Sequence, residues 1–217
     1  MNKYDTAFSN LKSKGYTFTP SDSLIEFCEF YKKSFNTHER PSILELGCGP
    51  YLHFYNEGSI GVELSSAAIE MAELSHSERI TCSSIFDYQG SGKFDILFDS
   101  HLLHCLSSVS EVQKYFEVVS GLLNCGGHFL LECMVKPQRL VVDEGYLFDE
   151  DQFTLSHNGL VHRVILPTFE LEKIVQACGL KIVYFRVDEK IKFIPYSHRS
   201  ESLPTDPDRL RMICLKE

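Results

Sequence analysis

Apolar positions in this chain fall in short runs separated by longer amphipathic stretches, and the two alternate from residue 43 onward. Ile43, Leu44 and Leu46 form a run short enough for one buried strand. Ile60-Gly61-Val62 predicts a second strand, Ile80-Thr81-Cys82 a weak third, and Phe94-Asp95-Ile96-Leu97-Phe98 a fourth that ends in Asp99. Ser108-Val109-Ser110-Glu111 reads as a capping box that opens a helix. Val112, Tyr115, Phe116, Val119, Leu122 and Leu123 share its apolar face, and Gly126-Gly127 closes it. His128-Phe129-Leu130-Leu131 is the fifth strand. A later helix carries Leu171, Ile174, Val175 and Cys178, with Thr168 as its cap and Gly179 past its end. Residues 181–187 and 211–215 complete the strands. Such alternation predicts a mostly parallel sheet with helices on both faces.

Three segments stand outside the alternation. Residues 1–40 read as a helical N-terminal extension. Thr19-Pro20 offers a cap followed by proline at the first helical position, and Leu24, Cys28, Tyr31 and Phe35 keep one apolar stripe. Residues 133–168 are too long for an ordinary connection and predict an insertion between the fifth strand and its helix. Residues 188–208 form a second polar excursion with Pro195, Pro204 and Pro207.

The chemistry is concentrated where the first strand ends. The run Ser42-Ile43-Leu44-Glu45-Leu46 breaks into Gly47-Cys48-Gly49-Pro50. Glycines at a strand's carboxyl end let another molecule approach the backbone closely. Eighteen residues after Glu45, the second strand ends in Glu63. An acidic residue about 20 positions beyond a glycine turn is where nucleoside-binding βαβ units grip a ribose diol. A nicotinamide-dependent dehydrogenase uses the same fold, but its Gly-x-Gly-x-x-Gly fingerprint is absent, because Leu52 stands at the third glycine.

From Ile43 to Glu132 the chain resembles the class I S-adenosylmethionine-dependent methyltransferases, on the motif Glu45, Gly47, Gly49 and on Glu63. Tyr51 stands where that family's third alternate glycine is expected, so a loop could replace the usual helix start. The resemblance implies a Rossmann-like, mostly parallel seven-stranded sheet in one domain, with an antiparallel C-terminal strand. It implies S-adenosylmethionine as cofactor and S-adenosylhomocysteine as product. It places Glu45, Gly47, Cys48, Gly49, Glu63, Leu64 and Asp99 around the cofactor, with Glu63 on the ribose. For the adenine it offers Ser84 with the Ile85 amide, or Asp87. In this family an N-terminal extension often covers the cleft; a helix docked on the sheet is the alternative.

Methyl transfer is an in-line displacement, so alignment matters most, and a base is needed only when the nucleophile arrives protonated. His101 and His104 follow the fourth strand and are the base candidates. Tyr146, His157, His162 and Arg163 of the insertion are the substrate candidates, as part of a lid over an apolar pocket. His101, His104 and Cys105 lack a complementary pair at ligand spacing, so no metal site is expected.

Composition narrows the partners. The net charge is −9 and the basic residues are scattered, which argues against a nucleic-acid face. Asp99-Ser100-His101-Leu102 also lacks the Pro-Pro-aromatic continuation typical of methyltransferases acting on base or amide nitrogens. No apolar run approaches the ~20 residues of a membrane span, and residues 1–5 show no signal-peptide pattern. The eight cysteines form no Cys-x-x-Cys pair and read as reduced core thiols of a cytoplasmic protein. The expected acceptor is a small molecule. A protein acceptor, or a cofactor-binding module without turnover, are the alternatives.

Overall fold

A computed structural model describes residues 3–35, 39–90 and 92–217. The central sheet contains β1 (Ile43–Leu46), β2 (Ile60–Glu63), β3 (Ile80–Cys82), β4 (Phe94–Asp99), β5 (Leu123–Val135), β9 (Leu180–Asp188) and β10 (Asp208–Lys216). Their order is β3-β2-β1-β4-β5-β10-β9. The first five run parallel, and β10 is antiparallel to both β5 and β9. This is the expected doubly wound topology with an antiparallel C-terminal strand. The carboxyl ends of β1 to β4 therefore meet along one edge, and order reverses beside β1, where such sheets bind ligands.

Side-chain alternation sorts the sheet into two buried faces. Leu44, Leu46, Leu97, Phe129, Leu131 and Met212 face α5 (Val109–Leu122) and α6 (Thr168–Ala177). Ile43, Ile96, Phe98, Leu130 and Ile213 face α2 (Asp22–Ser34), which contributes Leu24, Phe27, Cys28 and Tyr31. Ahead of it, α1 (Lys3–Ser13) buries no residue. Residues 3–35 are thus two helices with a non-helical link at 14–21. The helical reading of residues 1, 2 and 36–38 falls outside the described residues.

The remaining elements depart from regular crossovers. Between β1 and β2 there is only a 3₁₀ turn, Tyr55–Glu57, and between β3 and β4 only Ile85–Asp87. The β2–β3 connection holds two single-turn helices, α3 (Ser66–Ile69) and α4 (Leu74–Ser77). The insertion folds as its own antiparallel sheet of β6 (Tyr146–Asp149), β7 (Thr154–His157) and β8 (Leu160–Val164). No described helix is long and apolar enough to cross a membrane.

Several local expectations shift. The cap of α2 is Ser21, whose hydroxyl accepts from the Leu24 amide, rather than Thr19. At α6 the cap position is Pro167, so Thr168 is the first helical residue. Ser108 caps α5, but Glu111 reaches back to the Ser107 amide and hydroxyl, not to Ser108. β5 begins at Leu123, before the glycine pair, because a register irregularity carries pairing with β4 through it. All eight cysteines are free, yet only Cys28, Cys48, Cys133 and Cys214 are buried.

Asp99 ties the edge of the sheet to α5. Its carboxylate is fully buried and accepts from the amides of His101 (2.9 Å), Leu102 (2.6 Å) and Leu103 (3.0 Å). The Tyr115 hydroxyl donates a fourth bond at 2.7 Å. Burial pushes its carboxyl up to about 6, against the pull of these donors. We expect Asp99→Asn to destabilise the protein by about 1–3 kcal/mol in urea denaturation at pH 8, because in either orientation its NH₂ would face at least one backbone amide, which can only donate. An unchanged midpoint would show that the turn is held by other contacts.

Candidate functional site

The turn after β1 is shaped by two left-handed glycines. Gly47 has φ +58° and Gly49 φ +61°, where other residues are strained. The Gly47 amide donates to the Val62 carbonyl at 2.8 Å, which locks the turn to β2. A Cβ on Gly47 would stand 2.8 Å from the Leu102 Cβ, so that position also has no room. The Gly49 amide donates to Glu63 Oε2 at 2.9 Å, and the Ser65 amide to Glu63 Oε1 at 2.8 Å. Each carboxylate oxygen is thereby fixed by one backbone donor. With the Leu64 amide also acting on it, this carboxylate is held by three backbone donors of the about four it can accept. Burial raises the Glu63 carboxyl, while the amides of Ser65, Gly49 and Leu64 oppose that rise.

Beneath this turn lies a cavity of about 550 Å³. The strand tips contribute Gly47, Gly49, Glu63, Leu64, Ser83, Ser84, Ile85 and His101 to its wall. Its roof is α1, through Lys3, Tyr4, Ala7, Phe8 and Leu11. Two polar contacts seat that roof. The Tyr4 hydroxyl donates to the Cys105 carbonyl at 2.6 Å, and Asp5 Oδ1 accepts from the Ser65 hydroxyl at 2.9 Å. Arg163 of β8 closes another side.

No protein-family model matches this chain, and no curated protein matches it either. Solved structures do. A S-adenosylmethionine-dependent methyltransferase from Clostridium acetobutylicum aligns over 99% of both chains, with a TM-score of 0.63 and 14% identity. The 1,6-didemethyltoxoflavin-N1-methyltransferase of Burkholderia thailandensis, solved with that acceptor and S-adenosylhomocysteine, covers 98% of this chain and 87% of its own. Its TM-score is 0.65 at 14% identity. The cyclase SpnF aligns over 88% of this chain and 81% of its own, at TM-score 0.62 and 14% identity. The fold is that of the S-adenosylmethionine-dependent methyltransferases. The cyclase shows that this methyltransferase fold does not by itself fix a reaction.

On this methyltransferase frame the sequence-predicted residues divide. Gly47, Gly49, Glu63, Leu64, Ser84, Ile85, His101 and Arg163 all line the cavity. Glu45, Cys48, Asp87, Asp99, His104, Tyr146, His157 and His162 do not. Glu45 stands behind the wall, where it accepts from the His53 and Phe54 amides and the Ser59 hydroxyl, each at 2.8 Å. It organises the loop that replaces the first crossover helix. Cys48 packs with Leu52 and Ile80, Asp87 is exposed, and Asp99 is spent on its own turn. Ser84 Oγ accepts from the Phe86 amide at 3.2 Å, which presents Ser84 and Ile85 at the cavity edge. Tyr146, His157 and His162 cluster among themselves, with Tyr146 stacked on His157 at 4.4 Å.

The two histidines behave differently. His104 is buried, and its Nδ1 accepts from the Met134 amide at 3.4 Å. His101 lines the cavity and keeps part of its surface open to solvent. Its ring meets Phe193 edge-on at 5.5 Å. Burial, with the nearby cationic groups of Arg209, His53 and Arg163, pushes it down to about 3.

Sequence reasoning offered the N-terminal extension as a cover for the cleft but named none of the residues that form this roof. Tyr4, Ala7, Phe8 and Leu11 recur at helical spacing, which is the signal that would have found them. We expect the His101 ring to stay neutral from pH 6 to 8, so its Hε1 resonance should not titrate in that window. A titration with a midpoint near 6.5 would place the ring in bulk-like solvent.

Proposed function

We propose that this protein is a cytoplasmic S-adenosylmethionine-dependent methyltransferase acting on a small-molecule acceptor. The observation that supports this most is Glu63, a buried carboxylate on the cavity wall held at both oxygens by backbone amides. A ribose diol offers hydroxyl donors, and the remaining acceptor capacity of the Glu63 carboxylate suits them. Gly49 supports the same reading. A Cβ there would project toward the cavity, with the Phe8 ring as its nearest neighbour at 3.8 Å.

In this reading Gly47 and Gly49 provide the close approach and Glu63 takes the ribose. Ser84 and the Ile85 amide take the adenine edge in preference to Asp87, which is exposed and away from the cavity. S-adenosylmethionine supplies an electrophilic methyl group on a sulfonium. The protein's part is to hold the acceptor's nucleophile in line and to keep water out. α1 performs the exclusion. His101 sits at the cavity's edge of β4 and acts through its neutral ring. A group titrating so far below neutral takes up a proton poorly, so we assign His101 a positioning role, accepting a hydrogen bond from the acceptor. A roofed cavity of this size suits a small acceptor better than a peptide segment.

Isothermal calorimetry with S-adenosylhomocysteine tests the reading. Binding is expected, with a rise in melting temperature. Glu63→Ala should weaken it by about 1–3 kcal/mol, the cost of losing a charged hydrogen-bond partner. Circular dichroism and the melting temperature of the unliganded variant separate ligand loss from loop damage. No heat at millimolar ligand would refute the cofactor assignment. Binding without turnover of any acceptor would favour a module of another function on the same fold.

A further inference from the structure

The cavity holds one cationic side chain whose charge is unanswered. Of its ionisable lining groups, Glu63 is engaged by the Gly49 and Ser65 amides. Glu111 accepts from the Ser107 amide and hydroxyl, both at 2.7 Å. Lys3 is exposed at the rim, with Nζ 3.5 Å from the Val161 carbonyl. Arg163 differs from these. Its Nη1 donates to the His162 carbonyl at 3.0 Å, and its buried Nε has no partner. No carboxylate lies within ion-pairing distance of it among the described residues. Its Nη2 carries no hydrogen bond among the described residues.

Arg163 is half-buried without a counter-anion, and a guanidinium's N–H donors match a carboxylate. The protein as a whole carries −9, so its general field repels anions. An interior cation is then a specific local exception. Around it the wall is apolar, with Phe8, Leu11, Phe86, Leu102 and Leu106. We propose that Arg163 is a specificity residue that receives the carboxylate of the acceptor, and that the acceptor is an apolar, aryl-type acid. The proposal rests on the methyltransferase reading above and names its substrate class. It also gives the insertion a function: the β6–β8 sheet holds Arg163 at the cavity from outside the central sheet.

The test uses the intact protein. Benzoate and phenylacetate should raise the wild-type melting temperature, whereas benzamide and phenylacetamide, their neutral counterparts, should not. Arg163→Gln should weaken the carboxylates at least tenfold and leave S-adenosylhomocysteine affinity within about threefold. Arg163→Lys, which keeps the charge and loses the fork, should fall between. Equal shifts from acids and amides, or none from either acid, would overturn the proposal whether or not the variants fold. So would an Arg163→Gln variant that loses S-adenosylhomocysteine while keeping the acids, since Arg163 would then serve the cofactor's own methionine carboxylate. Calorimetry of the wild type with S-adenosylhomocysteine judges the methyltransferase reading separately, because the acid–amide comparison needs no cofactor.

Discussion

One interaction recurs at the sheet's working edge: a buried carboxylate at a strand tip that accepts backbone N–H groups from a turn. Glu45 is the next-to-last residue of β1 and gathers the amides of His53 and Phe54. Glu63 ends β2 and takes those of Gly49 and Ser65. Asp99 ends β4 and takes those of His101, Leu102 and Leu103. A regular crossover helix would satisfy its own amides. Here the first crossover is reduced to a 3₁₀ turn, and Glu45 and Glu63 supply acceptors for the amides of His53, Phe54 and Gly49 in that loop. Charge-assisted bonds of this kind are short and strong, and they fix turns that have little helical cooperativity of their own.

The central sheet was legible because it rests on short-range signals. Apolar runs of strand length, glycines at the first tip and acidic residues closing β1's neighbour and β4 are all local features. The same locality explains the errors. Thr19-Pro20 and Ser21 offer equivalent capping chemistry within three positions, and only packing of Leu24 against the sheet selects Ser21. β5 starts before its glycine pair because β4 continues to pair with it, which no window around residues 123–128 reveals. Similarly, half the cysteines lie outside the core, since an apolar neighbour in sequence need not be one in space.

The candidate site divides along the same line. Glu63 and the two glycines are adjacent to strand ends, so spacing alone places them at one edge. Glu45 was misplaced by that logic: it is at the right tip but turns toward the loop after it, and the partners that hold it lie eight to fourteen residues on. Arg163 reaches the cavity only because three insertion strands pair among themselves and set β8 beside residues 103–105. Phe193, from the long excursion before β10, and Arg209, near the start of β10, stand near His101. Such long-range arrangements have no sequence period to betray them.

The roof of the cavity has a different standing from its floor. α1 buries none of its residues, and its inward stripe of Tyr4, Ala7, Phe8 and Leu11 faces the cavity instead of the core. Stability and recognition are therefore written on separate parts of the chain. A change at Leu131 or Phe129 must satisfy the packing of a sheet between helices. A change at Ala7 or Leu11 must satisfy only what lies beneath it. Natural variation can redraw the pocket through one short helix at little cost to folding, and relatives with nearly identical sheets would be expected to differ most there.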